Sequence, residues 1–320
     1  MASTPSPSQR PNTPGTRRAE QASLVSPADG LARAGTRRVL FQILFLNLGV
    51  STAKVIAGMA SGSLAVLSDG LHSTIDAINN VVGIVLLRMA AKEPDEGHPY
   101  GHGKIETLGA FSIAGFMFIT CYEVAKQAVA RLLGEALPSF EITLTTFAVM
   151  LVTLSVNVFV VWYEKRAAQR YASQFLYADA IHTQSDVLVT IAVLAGLPLV
   201  LRGYLYMDAL LALGISAFIA YSGFQVLRRT VPTLLDAAAV DAEVIRKLAI
   251  GLPRVVAARN IRSRLHGDRK FVELTLIVAE NDLREAHDVT ERLEELIEAR
   301  YGQTEITIHY EPAPSVASPR

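Results

Sequence analysis

From about residue 38 to residue 227 the chain is written as six apolar stretches, at about 38–60, 64–90, 106–133, 142–164, 176–201 and 205–227. Each is close to the roughly 20 residues a helix needs to cross a hydrocarbon layer. Inside such a layer the backbone must satisfy its own polar groups, so consecutive apolar runs of this length predict a bundle of membrane helices. Ser61-Gly62-Ser63 forms a minimal turn between the first two runs, Pro138 and Ser139 separate the third from the fourth, and Arg202-Gly203 links the fifth to the sixth. Composition points the same way: 51% of the 320 residues are hydrophobic and 19% are charged, against about 25% charged in a soluble domain. A formal net charge of zero offers no overall attraction for nucleic acid. The single cysteine, Cys121, allows neither an intrachain disulfide nor a thiolate cluster and reads as a small buried hydrophobe.

The flanks orient the bundle. Arg37 and Arg38 precede the first run, Arg88, Lys92 and Lys104 surround the loop after the second, Lys165, Arg166 and Arg170 follow the fourth, and Arg228 and Arg229 follow the sixth. The opposite loops hold little beyond Arg131 and Arg202. Positive residues stay cytoplasmic, so both ends of the chain are expected there. Residues 1–36, rich in Ser, Pro, Thr, Ala and Arg, read as a disordered cytoplasmic tail without a signal peptide. The membrane domain spans 37–230, a soluble domain spans 233–312, and 313–320 is a second disordered tail. The soluble part is expected as αββαβ: a helix over Asp241 to Leu252, strands at 255–263 and 270–279 about a Gly267-Asp268 turn, a charged amphipathic helix from Leu283 to Arg300, and a last strand Glu305 to His309. So small an α+β layer buries little surface alone and invites a partner. Pro232 marks a plausible hinge between the two parts.

Charged residues inside the apolar runs are few and patterned. Asp-x-x-His-x-x-x-Asp occurs twice, as Asp69, His72, Asp76 and as Asp179, His182, Asp186. On a helix these positions share one face. Ionisable groups at membrane depth are costly and mark ion or proton paths. Two imidazoles and two carboxylates from two helices suit a tetrahedral Zn²⁺, and protons compete with the metal for the same lone pairs, which offers a route to exchange. Asp69 and Asp179, one turn before each histidine, are candidates to orient the imidazoles, to line an entrance, or to act as structural carboxylates. The loop after the second run holds Asp95, His98 and His102 among Gly and Pro, a possible second cation site. In the soluble part, His287, His309 and Glu311 form a weaker candidate set, whereas His266 reads as a solvated turn residue.

Taken together these motifs resemble the cation diffusion facilitator family. The match runs over about 38–312 and rests on Ser61-Gly62-Ser63-Leu64-Ala65 leading into Asp69 to Asp76, on Gly97-His98-Pro99-Tyr100-Gly101-His102-Gly103-Lys104-Ile105-Glu106, on Asp179 to Asp186, and on Leu234-Leu235-Asp236. The resemblance implies a homodimer of all-α six-helix transmembrane bundles carrying metallochaperone-like α+β cytoplasmic domains. It implies transport of a divalent cation against protons, with the ion held by His72, Asp76, His182 and Asp186, a loop site at Asp95, His98 and His102, and a charge interlock between Lys104 and Asp236. Members with two His and two Asp are mostly zinc transporters, and Fe²⁺, Co²⁺, Cd²⁺ or Mn²⁺ are the alternatives. The regulatory two-metal site of some relatives falls here on Arg259 and Thr275, and a guanidinium there argues for a reduced site or none. The link between the fourth and fifth helices lacks the His-rich insertion of vesicular zinc transporters, so the resemblance implies a bacterial inner membrane rather than a vesicle. An intramembrane metalloenzyme is disfavoured because no His-Glu-x-x-His occurs and no intramembrane Glu is expected near the paired motifs. A membrane metal sensor that binds without transporting remains the other reading.

Overall fold

Leu40, Ile43, Met117, Leu176 and Ile219 come from four different stretches of sequence, and all are fully buried in one core. That core belongs to a bundle of six long helices in a computed structural model: α1 (Pro27–Ser61), α2 (Leu64–Ala90), α3 (Lys104–Leu132), α4 (Leu144–Tyr171), α5 (Gln174–Leu201) and α6 (Leu205–Leu234). The structure describes residues 27–61, 64–134, 144–201, 205–267, 269–279, 282–302 and 304–313, apart from some side chains within those ranges. The predicted breaks at Gly62-Ser63, Pro138-Ser139 and Arg202-Gly203, Asp268 of the predicted hairpin turn, the tail before residue 27 and that after 313 lie outside the described residues.

Packing is antiparallel between sequence neighbours, with α1 against α2 and α4 against α5, while α3 lies along α6. Large apolar side chains cover the outside of the bundle, among them Phe45, Ile56, Met59, Ile119, Val152 and Tyr221. In water such a surface would drive aggregation, and against lipid tails it costs nothing. Among the described residues four helical segments are long and apolar enough to cross a membrane: Ala34–Met59, Lys104–Leu132, Phe147–Tyr171 and Ala209–Leu234.

Several helix ends differ from the sequence reading. α1 begins at Pro27, inside the stretch read as tail. α4 continues past the expected end at 164 to Tyr171, and only Ala172 and Ser173 separate it from α5. The charged residues after 164 look like loop in the sequence, yet Lys, Arg, Ala and Gln are good helix formers that extend a span into the aqueous edge. Pro232 does not break the chain. It sits in the last turn of α6, where the missing N–H removes one hydrogen bond only, and the turn comes at Asp236, whose φ is +54°.

The soluble part follows the expected order: α7 (Ala242–Ile250), β1 (Val255–His266), β2 (Arg269–Val278), α8 (Leu283–Tyr301) and β3 (Thr304–Pro312). Asp241 and Asp282 cap the two helices by accepting the backbone N–H of Glu243 and Arg284. The sheet order is β1-β2-β3, antiparallel for the first pair and parallel for the second, with α8 as the crossover. Ile245, Leu276, Leu293 and Ile297 fill the space between sheet and helices.

The β1–β2 hairpin reaches back to the loop before α3. Gly267, at φ +65°, meets Gly103 so closely that a Cβ on Gly103 would lie 2.8 Å from the Gly267 Cα. Backbone on both sides leaves nothing to yield. Gly103→Val is therefore expected to push the hairpin off the loop and destabilise the fold by about 1–3 kcal/mol. Thermal unfolding followed by size-exclusion should show a lower midpoint than wild type, whereas Gly115→Ala, at a position with nothing within 4 Å, should not.

Candidate metal sites

α2 and α5 each carry one copy of the Asp-x-x-His-x-x-x-Asp pattern. Their approach is close near one end, where a Cβ on Gly83 would strike the Phe175 ring. From this contact the two polar faces converge. Asp76 of α2 and His182 and Asp186 of α5 each offer a ligand atom, and the three atoms lie within 4.8 Å of one another. His182 Nε2 is 3.7 Å from Asp76 Oδ1 and 3.9 Å from Asp186 Oδ2. An ion with ligands at about 2.0 Å in tetrahedral array holds its ligand atoms roughly 3.3 Å apart. The two distances from His182 exceed that spacing by about 0.4–0.6 Å. The side chains of Asp69 and His72 lie outside the described residues, and His72 belongs to the turn of α2 directly before Asp76.

Asp179, one turn before His182, is buried, and a second buried carboxyl comes from a neighbouring helix. Glu164 of α4 is fully buried against α5, and its Oε2 accepts a 3.5 Å hydrogen bond from Thr183 Oγ1. An intramembrane Glu therefore does stand beside the second motif, contrary to the sequence reading. In the sequence it stands at the end of an apolar run, where charge is ordinary; the extension of α4 to Tyr171 is what carries it inward. Lys54 of α1 is likewise buried, and its Nζ donates to Ser73 Oγ on α2 at 2.8 Å.

The loop cluster is also assembled. Asp95 Oδ1 accepts the His98 backbone N–H at 2.7 Å and lies 3.3 Å from His98 Nδ1, while Asp95 Oδ2 is 3.5 Å from His102 Nε2. The backbone bond from His98, set against slight desolvation and helped by the neighbouring imidazoles, holds the Asp95 carboxyl below the usual carboxylate value. The two rings are 4.4 Å apart, and one ligand atom from each of Asp95, His98 and His102 falls within 4.8 Å of the others. His102 Nδ1 is buried without a hydrogen-bond partner, as a nitrogen reserved for another ligand would be.

Beside it, Lys104 Nζ donates to Asp236 Oδ1 at 2.8 Å, so this pair joins the start of α3 to the end of α6. In the soluble part His287 pairs with Glu291 at 3.3 Å and His309 with Glu311 at 3.6 Å. Both pairs are exposed, and His287 is not gathered with His309 and Glu311 among the described residues. Arg259 pairs with Thr275, and Thr275 with His309, so a guanidinium occupies the same row of the sheet as that histidine.

His266 corrects another reading. It is not a solvated turn residue: it ends β1 half-buried, and its Nε2 is 3.1 Å from the Gly101 carbonyl oxygen. A carbonyl only accepts, so Nε2 carries the hydrogen. Arg264 lies 4.0 Å over the Tyr100 ring, and Tyr100 meets Phe271 edge-on. The hairpin thus clamps the loop that carries the candidate ligands.

Two family models cover the chain. The cation efflux transmembrane domain matches residues 40–235, and the cation efflux protein cytoplasmic domain matches residues 238–313. The chain belongs to the cation efflux family. It is 33% identical over 270 residues to an uncharacterized transporter of Methanocaldococcus jannaschii, covering 81% of this chain and 94% of that protein. It is 30% identical over 265 residues to the cation-efflux pump FieF of Salmonella typhi, covering 81% and 87%. Metal tolerance protein C1 of Arabidopsis thaliana is 28% identical over 288 residues, with 84% of this chain and 61% of that protein covered. The chain is therefore a cation diffusion facilitator, an integral membrane protein for the efflux of divalent metal cations and not an enzyme. Its catalytic exclusion rests on family membership, since the absence of a nearby Glu does not hold.

A pH effect follows at the clamp. Burial, with help from the nearby Lys104 and Arg264 charges, keeps His266 below its ordinary value of 6.5, against the opposing pull of the Gly101 carbonyl. Protonation therefore favours the undocked state. The contribution is complete above that ordinary value and is lost as pH falls through the lower folded value. Hydrogen exchange of the 97–103 backbone should quicken on acidification below about pH 6.5 in wild type. In His266→Gln the component due to this residue should vanish; an identical pH response would contradict the assignment.

Proposed function

We propose that this protein exports Zn²⁺ from the cytoplasm in exchange for protons, as a homodimer with six membrane-crossing helices per subunit and both termini in the cytoplasm. The observation that carries this reading is the convergence of Asp76, His182 and Asp186 from two helices that are distant in sequence. His72, one helical turn before Asp76, completes a set of two nitrogens and two oxygens, which favours Zn²⁺ over the oxygen-preferring Mn²⁺. Co²⁺, Cd²⁺ and Fe²⁺ are the competing substrates to be ranked by experiment. The excess of Lys and Arg at the chain ends and at the α2–α3 and α4–α5 links supports the orientation. The assembled Asp95, His98 and His102 cluster supports a second cation site at the cytoplasmic face.

The exchange has a simple electrostatic basis. Asp76 and Asp186 are acceptors when ionised, and His182 binds metal only through a neutral nitrogen. Metal loading therefore releases protons, and a proton-rich exterior expels the metal. The four ligands replace the hydration shell that keeps the ion out of lipid.

Two substitutions test the assignment in proteoliposomes loaded with a zinc-sensitive dye. Asp186→Ala should lower pH-driven Zn²⁺ flux by roughly a hundredfold or more while the protein still elutes as a dimer. His72→Asp should shift relative flux toward Mn²⁺ or Cd²⁺. Retained flux in the first variant, or an unaltered metal preference in the second, would remove the four residues from this role.

A further inference from the structure

A cavity of about 310 Å³ opens where the bundle meets the soluble domain, and no candidate cation ligand among the described residues lines it. Arg37 of α1, Arg88 near the end of α2, Glu93 of the following link and Glu106 of α3 carry the charges on its wall. Gly267 of the hairpin lines it from the soluble side. The spans Ala34–Met59 and Lys104–Leu132 begin less than one turn before Arg37 and Glu106 respectively. The cavity therefore lies at the edge of the hydrocarbon layer, at the depth of lipid headgroups.

The wall charges are unevenly matched. Glu106 Oε1 accepts from Ser173 Oγ at 2.6 Å and from the Phe175 backbone N–H at 3.4 Å, so this carboxylate is already engaged. The side chains of Arg37, Arg88 and Glu93 make no hydrogen bond or ion pair among the described residues. A guanidinium fork is matched by acceptor oxygens such as those of a phosphate, and a carboxylate by N–H donors. Arg37 and Arg88 are balanced in sign by Glu93 and Glu106 on the same wall, so its complement is a dipolar group and not a net anion. Apolar surface leads away from the same place. Val81, Val85 and Arg88 stand at i, i+4 and i+7 on one face of α2, and the two valines are 47% and 49% exposed.

We propose that this cavity binds the headgroup of a membrane phospholipid that carries a primary ammonium. The phosphodiester lies between Arg37 and Arg88, the ammonium meets Glu93, and the acyl chains run along Val81 and Val85. Basic pockets between membrane helices are common receptors for lipid phosphates; the unmatched carboxylate is what narrows the choice here. A trimethylated headgroup lacks the N–H donors that Glu93 would accept. An anionic headgroup without an ammonium sets like charge against it. The lipid joins α1 to the end of α2 beside the hairpin, at the seam between the two domains. This inference needs only the membrane placement of the bundle and is independent of which ion is carried and of proton coupling.

Native mass spectrometry of the full-length protein in detergent, titrated with single lipids, provides the test. The probes are dioleoyl phosphatidylethanolamine, phosphatidylcholine and phosphatidylglycerol, with soluble glycerophosphoethanolamine as the headgroup alone. Wild type should hold phosphatidylethanolamine roughly tenfold more tightly than either of the other lipids. Arg88→Gln should weaken that binding by roughly tenfold or more. Glu93→Gln should bring phosphatidylethanolamine and phosphatidylcholine to the same affinity. Wild type that holds phosphatidylcholine or phosphatidylglycerol as tightly as phosphatidylethanolamine overturns the proposal. So does unchanged binding in Arg88→Gln, or an undiminished preference in Glu93→Gln. Displacement of the lipid by an equal concentration of glycerophosphoethanolamine would mean that the cavity takes a soluble zwitterion, which overturns the lipid assignment. Should Arg88→Gln fail to elute as wild type does, Arg37→Gln supplies the same measurement.

Discussion

The arrangement of this bundle depends on one electrostatic constraint: charge carried into a low-dielectric interior must be met there by opposite charge, a proton or a metal. Insertion of a single Asp at the centre of a membrane helix costs about 2.5–3.5 kcal/mol. α2 and α5 nonetheless bring Asp76, His182, Asp186 and Asp179 inward, and α4 adds Glu164. No set of neutral hydrogen bonds balances so many carboxyls. A divalent cation supplies opposite charge at that depth, as a protein for the efflux of such ions needs. The lipid-facing belt of Phe45, Ile56, Ile119 and Val152 keeps water from supplying the balance from outside.

The same constraint weakens toward the aqueous end, where the structure relies on docking. The 95–104 loop carries three potential ligands, and its backbone is gripped by the β1–β2 hairpin through Gly103, Gly267, His266 and Arg264. Lys104 ties the same loop to Asp236, the residue at which the chain turns from α6 into the soluble domain. The start of α3 and the end of α6 are thus both tied to the sheet by direct contacts. A cation on Asp95, His98 and His102 would stiffen the joint between the two parts.

Much of this was legible without coordinates, for identifiable reasons. Long apolar runs have few alternatives to spanning helices, and the i, i+3, i+7 spacing of Asp179, His182 and Asp186 is a direct statement about a helix face. The αββαβ order could be read because Phe271 to Leu276 alternates and because Asp241 and Asp282 sit where caps belong. What could not be read depended on neighbours from other elements. Glu164 looks like an interfacial charge until α4 is seen to run on to Tyr171. His266 looks like a turn residue until Gly101 is beside it. His287 and His309 share a domain and a plausible spacing, yet helix and sheet direct them to different carboxylates. Pro232 resembles a hinge in sequence, but a proline in the last helical turn costs little, and the bend moves to Asp236.

The central claim is that one metal ion bridges α2 and α5. Anomalous diffraction from zinc-soaked crystals, recorded at the zinc edge, addresses it directly. The account predicts a single strong intramembrane peak about 2.0–2.2 Å from Asp76, His182 and Asp186 together. A peak confined to the 95–102 loop, or one bound by residues of only one of the two helices, would contradict it.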